Sequence, residues 1–456
     1  MGARAGRGAL RRGTLNATVL LAAAAAAGLA CYTGVAAAAL DGPAPGLEVS
    51  AGQAGRVYWI ALAGGAAVLA AGMALASRAE PRAGLLLVLG AGALFRLVLV
   101  PTPPVLSDDL YRYLWDGRVQ AAGINPYAHP PNAPELEPLR DEAVWPRINR
   151  PHAPTIYPPA TQAVFTSAWW LGLRTPTAWK IVTAVVDIAA MLLLARLLGE
   201  LGRDRRAVVA YAWNPMPVLA FGHSGHVDAF VVLGLVAAGL AWRAGALRRL
   251  GLCLGLAAAV KLYPLIALPA FVRDVRGRWS TRRAATVSAL AVGVVAASYL
   301  PVATLGSRAF GYLTAGYLLE EGYTTGRRFL LFRALGLDGR LLGPLLLAAV
   351  VVVALRSRRP APTRAAWVLG AVAIVTLSYP WYAAALVALA VAGGAGWAWP
   401  WLGVALETAY AGLIVPLAPG PLRFSGPVRV TAAAAIVLLA LAATRWRWAR
   451  RAVIAT

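Results

Sequence analysis

Apolar runs of roughly 16–25 residues recur along almost the whole chain, and nothing else in it so narrows the folds it can adopt. Each matches the thickness of a bilayer's hydrocarbon core. In lipid, backbone polar groups must be satisfied within the segment, so such runs become helices. Spans are predicted near 15–40, 57–76, 83–100, 177–198, 207–222, 227–243, 250–261, 263–272, 284–304, 341–355, 365–378, 381–396, 398–417 and 428–444. The expected fold class is therefore an all-α polytopic membrane protein, a bundle of about 12–14 transmembrane helices. With 59% hydrophobic and only 14% charged residues, the chain carries too little charge for a soluble protein of 456 residues. The first run follows Arg4, Arg7, Arg11 and Arg12 like a signal peptide. Its length and the many later spans mark it as a retained helix.

The net charge of +24 is distributed by side. With the N-terminus cytoplasmic, segments 1–14, 77–82, 199–206, 243–249, 273–283, 356–364 and 445–456 hold 25 of the 43 basic residues. Their only acids are Glu80, Glu200, Asp204 and Asp274. This positive-inside bias predicts a multi-pass plasma-membrane protein with both termini cytoplasmic, and it argues against nucleic acid as a partner. Cys31 and Cys253 fall inside spans, so no disulfide framework is expected. The Asn16-Ala17-Thr18 tripeptide lies at the start of a helix, where a glycosylation acceptor is a chance match.

Two long segments, 101–176 and 305–340, then fall outside. The first opens with Ser107-Asp108-Asp109-Leu110-Tyr111-Arg112-Tyr113-Leu114-Trp115-Asp116-Gly117-Arg118. An amphipathic interfacial helix is predicted over 109–122, with Asp109, Arg112 and Asp116 on its polar face. A Pro-rich stretch, 126–159, cannot continue it. Residues 160–173 read as a short re-entrant or surface helix. The run 250–272 has basic residues at both ends, which predicts two short helices meeting at Lys261-Leu262-Tyr263-Pro264 on the outer face. Three parts follow: an N-terminal hairpin 1–82, a core 83–340 and C-terminal helices 341–456. All four histidines fall outside. Arg96, Asp187, Arg196 and Glu407 are the intramembrane groups a transport pathway would use, unless they simply pair or snorkel.

Acids at a membrane face need an explanation other than packing. Ser107 or Asp108 could cap the interfacial helix. Alternatively, Asp109 or Asp108 is a general base whose low-dielectric surroundings raise its pKa. Gly222-His223-Ser224-Gly225-His226-Val227-Asp228 is either a polar turn, a hydrogen-bonding site for sugar or phosphate, or a weak metal set of His223, His226 and Asp228. Lys261 should meet an anion at headgroup depth. Arg327 and Arg328 are either solvated or clamp a phosphate. Tyr157-Pro158-Pro159 and Tyr379-Pro380-Trp381-Tyr382 place aromatics at outer helix ends.

Several of these motifs, in order, resemble those of the GT-C superfamily of polyprenyl-phosphate-sugar-dependent membrane glycosyltransferases. They are Asp109-Leu110-Tyr111-Arg112-Tyr113, Ala121-Ala122-Gly123-Ile124-Asn125-Pro126-Tyr127, Tyr157-Pro158-Pro159, Trp213-Asn214-Pro215, Gly225-His226-Val227-Asp228 and Lys261-Leu262-Tyr263-Pro264. The pattern is most similar to the bacterial mannosyltransferase branch, GT87 and related polyprenol-phosphomannose-dependent enzymes. The resemblance covers roughly residues 83–335, with the two helices before it looking additional. It implies a GT-C-like bundle and an extracytoplasmic site. A hexose, mannose first, would pass from a polyprenyl-phosphate donor to a glycan or glycolipid acceptor with inversion. The family's base maps onto Asp109, with Asp108 adjacent. Lys261, Arg327, Arg328, Arg112, His226, Asp228, Tyr157 and Tyr263 are the expected donor-binding residues. A divalent cation, magnesium or manganese, is optional because the lipid phosphate already leaves well. The alternatives are glucose or aminoarabinose transfer, or a lipid-linked-sugar flippase.

Overall fold

The computed structural model describes residues 2–40, 51–329, 332–333, 335–376, 379–396 and 398–414. All regular secondary structure among these residues is helical, as expected for an all-α polytopic membrane protein. The predicted span 428–444 and the basic segment 445–456 lie outside the described residues, as do 377–378 and 415–417 at the ends of two others.

Thirteen helices carry the architecture: α1 (Gly2–Leu40), α2 (Ala51–Leu75), α3 (Pro81–Leu97), α4 (Asp109–Ala121), α5 (Pro159–Trp170), α6 (Pro176–Glu200), α7 (Asp228–Arg243), α8 (Leu247–Val260), α9 (Thr281–Tyr299), α10 (Gly339–Arg356), α11 (Ala361–Thr376), α12 (Ala383–Gly393) and α13 (Ala398–Ile414). Among the described residues, five stretches are both long and apolar enough to cross a membrane: Gly13–Leu40, Val57–Arg78, Pro176–Glu200, Thr281–Gly306 and Gly339–Arg356. The spans predicted from hydropathy thus fall on five long helices and a group of shorter ones. The difference has a physical cause. Helices enclosed by protein need not match the bilayer, because neighbouring chain rather than lipid surrounds their ends. Every residue of α12 is buried, so it can be apolar all round, and ten of the sixteen residues of α7 are buried as well. By contrast, α9 and α10 leave Val292, Leu341 and Val353 more than half exposed, as lipid-facing helices do.

The predicted span 207–222 is broken. It divides into Val209–Ala212, Pro215–Pro217 and a turn of π-helix, Val218–His223. Pro215 and Pro217 lack an N–H for the helical ladder. The Asn214 side chain caps the gap by accepting from the Met216 N–H at 3.0 Å. Gly222 lets this segment press against the α3 backbone, since a Cβ there would lie 2.9 Å from the Arg96 Cα. Beneath it, Arg96 and Asp187 form a fully buried ion pair joined by the Tyr211 hydroxyl. Arg96 also donates to the Gly92 and Ala212 carbonyls, at 2.7 and 2.8 Å. Two of the groups considered for a transport pathway therefore tie α3 and α6 together.

Candidate active site

The loop after α3 is fixed from below. Lys180 of α6 donates to the Leu99 and Thr102 carbonyls, a cation at the negative end of a helix. The Thr102 hydroxyl meets His223 Nδ1 at 2.7 Å, and the Trp179 indole N–H donates to the Gly225 carbonyl at 2.7 Å. These bonds hold the α3–α4 loop and the histidine turn side by side. From the loop, α4 starts at Asp109 and packs against α5, where Gly117 gives the room: a Cβ would lie 2.6 Å from the Phe165 carbonyl oxygen. An aromatic cluster of Tyr113, Tyr157, Phe165 and Trp179 seals that contact, with ring centres 4.8–5.6 Å apart.

The polar face predicted for α4 is turned inward instead of toward water. Arg112 and Asp116 are buried and bond each other at 2.8 Å. Gln162 of α5 donates to Asp116 at 2.8 Å and to Thr155 at 2.7 Å. Arg112 is thus a structural ion-pair partner, outside the cavity that its expected donor-binding role would need.

A cavity of about 590 Å³ opens beside the start of α4. Asp108, Asp109, Asn149, Arg150 and Lys261 form its polar part. Asp108 makes no side-chain cap for α4. Asn149 instead bridges the two carboxylates, donating to Asp108 at 2.9 Å and Asp109 at 2.8 Å. Asp109 is 21% exposed. Burial raises its pKa to about 6. The Asp108 and Asp228 charges push the same way, while Lys261 and the Asn149 hydrogen bond oppose them. The carboxyl therefore titrates close to neutrality, as a general base requires.

Lys261 stands at the break between α8 and a 3-10 helix, Tyr263–Phe271, as the sequence predicts. Its ammonium is 2.6 Å from Asp228, the first residue of α7, and 4.5 Å from the centre of the Tyr382 ring. His226 stacks on Trp381 with ring centres 3.7 Å apart. Its Nδ1 lies 3.6 Å from Asp109, too far to hydrogen-bond. Burial, with Lys261 second, holds the imidazole neutral. His223 points elsewhere, toward Thr102 and Tyr58. The triad of His223, His226 and Asp228 is not assembled, and among the described residues no group of three or more His, Cys, Asp or Glu side chains is arranged to hold a metal ion.

Tyr157 and Tyr263 line the cavity. Arg327 is exposed, and Arg328 is engaged with Glu321 at 2.7 Å and lies over Tyr379. The arginine that reaches the cavity is Arg150, which pairs with Glu320 and Glu321 at 2.8 Å each. Neither Asn149 nor Arg150 was singled out in the sequence, where both sit in a Pro-rich loop with no local motif. The C-terminal helices also contribute. Leu369, Val372 and Ala373 of α11, the Tyr379, Trp381 and Tyr382 run, and Tyr410 of α13 all line the cavity. Of the other intramembrane groups, Arg196 is exposed and Glu407 is buried away from the lining.

A family model described as alpha-(1->6)-mannopyranosyltransferase, N-terminal domain (MptA_B family) matches residues 10–276. The match begins inside α1, so the first two helices lie within the matched region. It ends between the 3-10 helix and α9, after Asp109, Asn149, Arg150, Asp228 and Lys261 have all been contributed. No curated protein and no solved structure matches the chain.

Proposed function

The chain belongs to the MptA_B family of alpha-(1->6)-mannopyranosyltransferases and is a glycosyltransferase; from that premise we propose a donor, a face of the membrane and a base. The donor is a mannose carried on a polyprenyl phosphate, and the acceptor is a glycan or glycolipid on the extracytoplasmic face. The observation that carries this reading is one carboxyl group. Asp109, with a pKa raised to about 6, lines the same cavity as two cations, Lys261 and Arg150.

In the proposed reaction the acceptor hydroxyl oxygen attacks the anomeric carbon, and its proton passes to Asp109. The bond from that carbon to the phosphate oxygen breaks, and polyprenyl phosphate departs with the electron pair. A single displacement inverts the anomeric centre, so an α-linked product requires a β-linked donor. Lys261 and Arg150 offset the charge gathering on the phosphate, an electrostatic role that a low-dielectric site makes effective. With those two cations in place, the scheme needs no divalent ion. Tyr157, Tyr263 and Tyr382 offer faces and hydroxyls to the sugar, and Leu262, Ile266 and Leu369 offer an apolar wall to the lipid.

The test is donor competence. Purified protein in liposomes receives either polyprenyl-phosphate mannose or a mannose nucleotide, and the product linkage is read by NMR. Transfer from the lipid phosphate alone, giving an α-linked product, is expected. Transfer from the nucleotide, or translocation of the lipid sugar without a new glycosidic bond, would refute the reading.

A further inference from the structure

A second charged cluster lies away from the cavity and takes no part in that scheme. The 3-10 helix lines the cavity as far as Ile266, and α11 lines it from Leu369 onward. Past the far end of the former, Arg273 approaches Arg364 at the beginning of the latter and Arg283 in the first turn of α9. The 3-10 helix packs against both α11 and α9, and Arg273 and Arg283 both repel the Arg364 guanidinium. We propose that Arg273, Arg283 and Arg364 form a binding site for a phosphate oxyanion, of the kind an anionic phospholipid headgroup carries.

The burial of these side chains demands a partner. Arg364 is 1% exposed and Arg283 is 7% exposed. Arg364 Nε and Nη1, Arg283 Nε and Nη2, and Arg273 Nε are buried without a hydrogen-bond partner among the described residues. Arg273 spends one bond on the Gly277 carbonyl, at 2.9 Å. Simple solvation explains an exposed neighbour such as Arg282, but it cannot explain a buried guanidinium.

Helix polarity sharpens the mismatch. Arg364 and Arg283 occupy the first turns of helices of 16 and 19 residues. Backbone N–H groups and the helix dipole make these ends positive, so a cation there is unfavourable and an anion is favoured. The one acid in the connecting loop attracts Arg283 through space, but its hydrogen bonds go elsewhere. Asp274 accepts from the Arg278 side chain at 2.9 Å and from the Arg276 and Arg278 backbone N–H groups at 2.9 and 2.8 Å. Forked guanidinium donors suit phosphate oxygens, and one such anion would offset all three charges together. Trp279 and Val275 of the same loop are 55% and 46% exposed. An exposed tryptophan fits headgroup depth, where a lipid phosphate resides.

Thermal unfolding of the purified full chain in a neutral detergent tests the site. Short-chain phosphatidylglycerol, short-chain phosphatidylcholine and inorganic phosphate are added separately at constant ionic strength. The wild-type Tm should rise by several degrees with phosphatidylglycerol and not with phosphatidylcholine. An equal rise with inorganic phosphate identifies a soluble anion as the source, whereas no rise with it identifies the lipid. Arg364→Gln and Arg283→Gln should each abolish the response. Before any anion is added, Arg364→Gln should not unfold below wild type, because it removes a charge that faces only Arg273 and Arg283. A response that persists in both variants, or no response to either anion in the wild type, overturns the proposal.

Discussion

At the scale of single residues, chemistry in this chain shows up as polar side chains that packing does not explain. Asp108 and Asp109 were legible for that reason; Asp108 bonds Asn149 instead of capping α4, while the Ser107 hydroxyl accepts from the Asp109 N–H at 3.3 Å. Asn149 and Arg150 were not legible. Asn149 lies 40 residues from Asp109 in sequence, and only the folded loop brings them together. The Asp109 pKa gives a signed prediction. A base acts when deprotonated, so kcat/KM should fall as pH drops through about 6. The Asp108 charge contributes to that raised value, so Asp108→Asn should move the acid limb to lower pH while transfer continues. A limb that stays in place or moves upward would remove Asp108 from this role. Lys261 gives a second prediction. Lys261→Met leaves the Asp228 carboxylate buried without its cation, which should cost about 3–5 kcal/mol of stability. Adding Asp228→Asn should restore most of the Tm without restoring transfer. Transfer recovered along with stability would reduce Lys261 to a structural partner.

Among elements, the breaks matter more than the continuous helices. Both ends of the 250–272 run are basic, and that predicted its break at Lys261. The break in 207–222 went unread, although Pro215 and Pro217 stand inside it, because hydropathy cannot separate a spanning run from one enclosed in protein. The two long loops, 101–176 and 305–340, meet through another irregular point. Gly311 has φ 54° and ψ −140°, a conformation reserved for glycine, and a Cβ there would strike the Thr155 carbonyl oxygen. The next N–H, of Tyr312, donates to that same oxygen at 3.1 Å. Gly311→Ala should therefore release the second long loop from the first, read as faster proteolysis between 305 and 328. An unchanged cleavage rate would show that another contact holds the loops.

For the molecule as a whole, the fold class was readable because apolar run length reports directly on lipid. The number of full crossings was not, since enclosed helices such as α11 and α12 escape the length rule. Nor was the reach of the site: the Tyr379-Pro380-Trp381-Tyr382 run reads in sequence as an interfacial belt, and nothing there joins it, or Tyr410, to the cavity wall. The fold thus gathers one candidate base, two cations and an aromatic wall around one cavity. The decisive measurement compares wild type with Asp109→Asn, both purified and reconstituted with polyprenyl-phosphate mannose and acceptor. Transfer rate is followed through the pH range around 6, and Tm controls for folding. The account predicts a loss of about 10²–10⁴-fold in rate and of the acid limb, at unchanged Tm. Near-normal transfer by Asp109→Asn with the limb intact would contradict it.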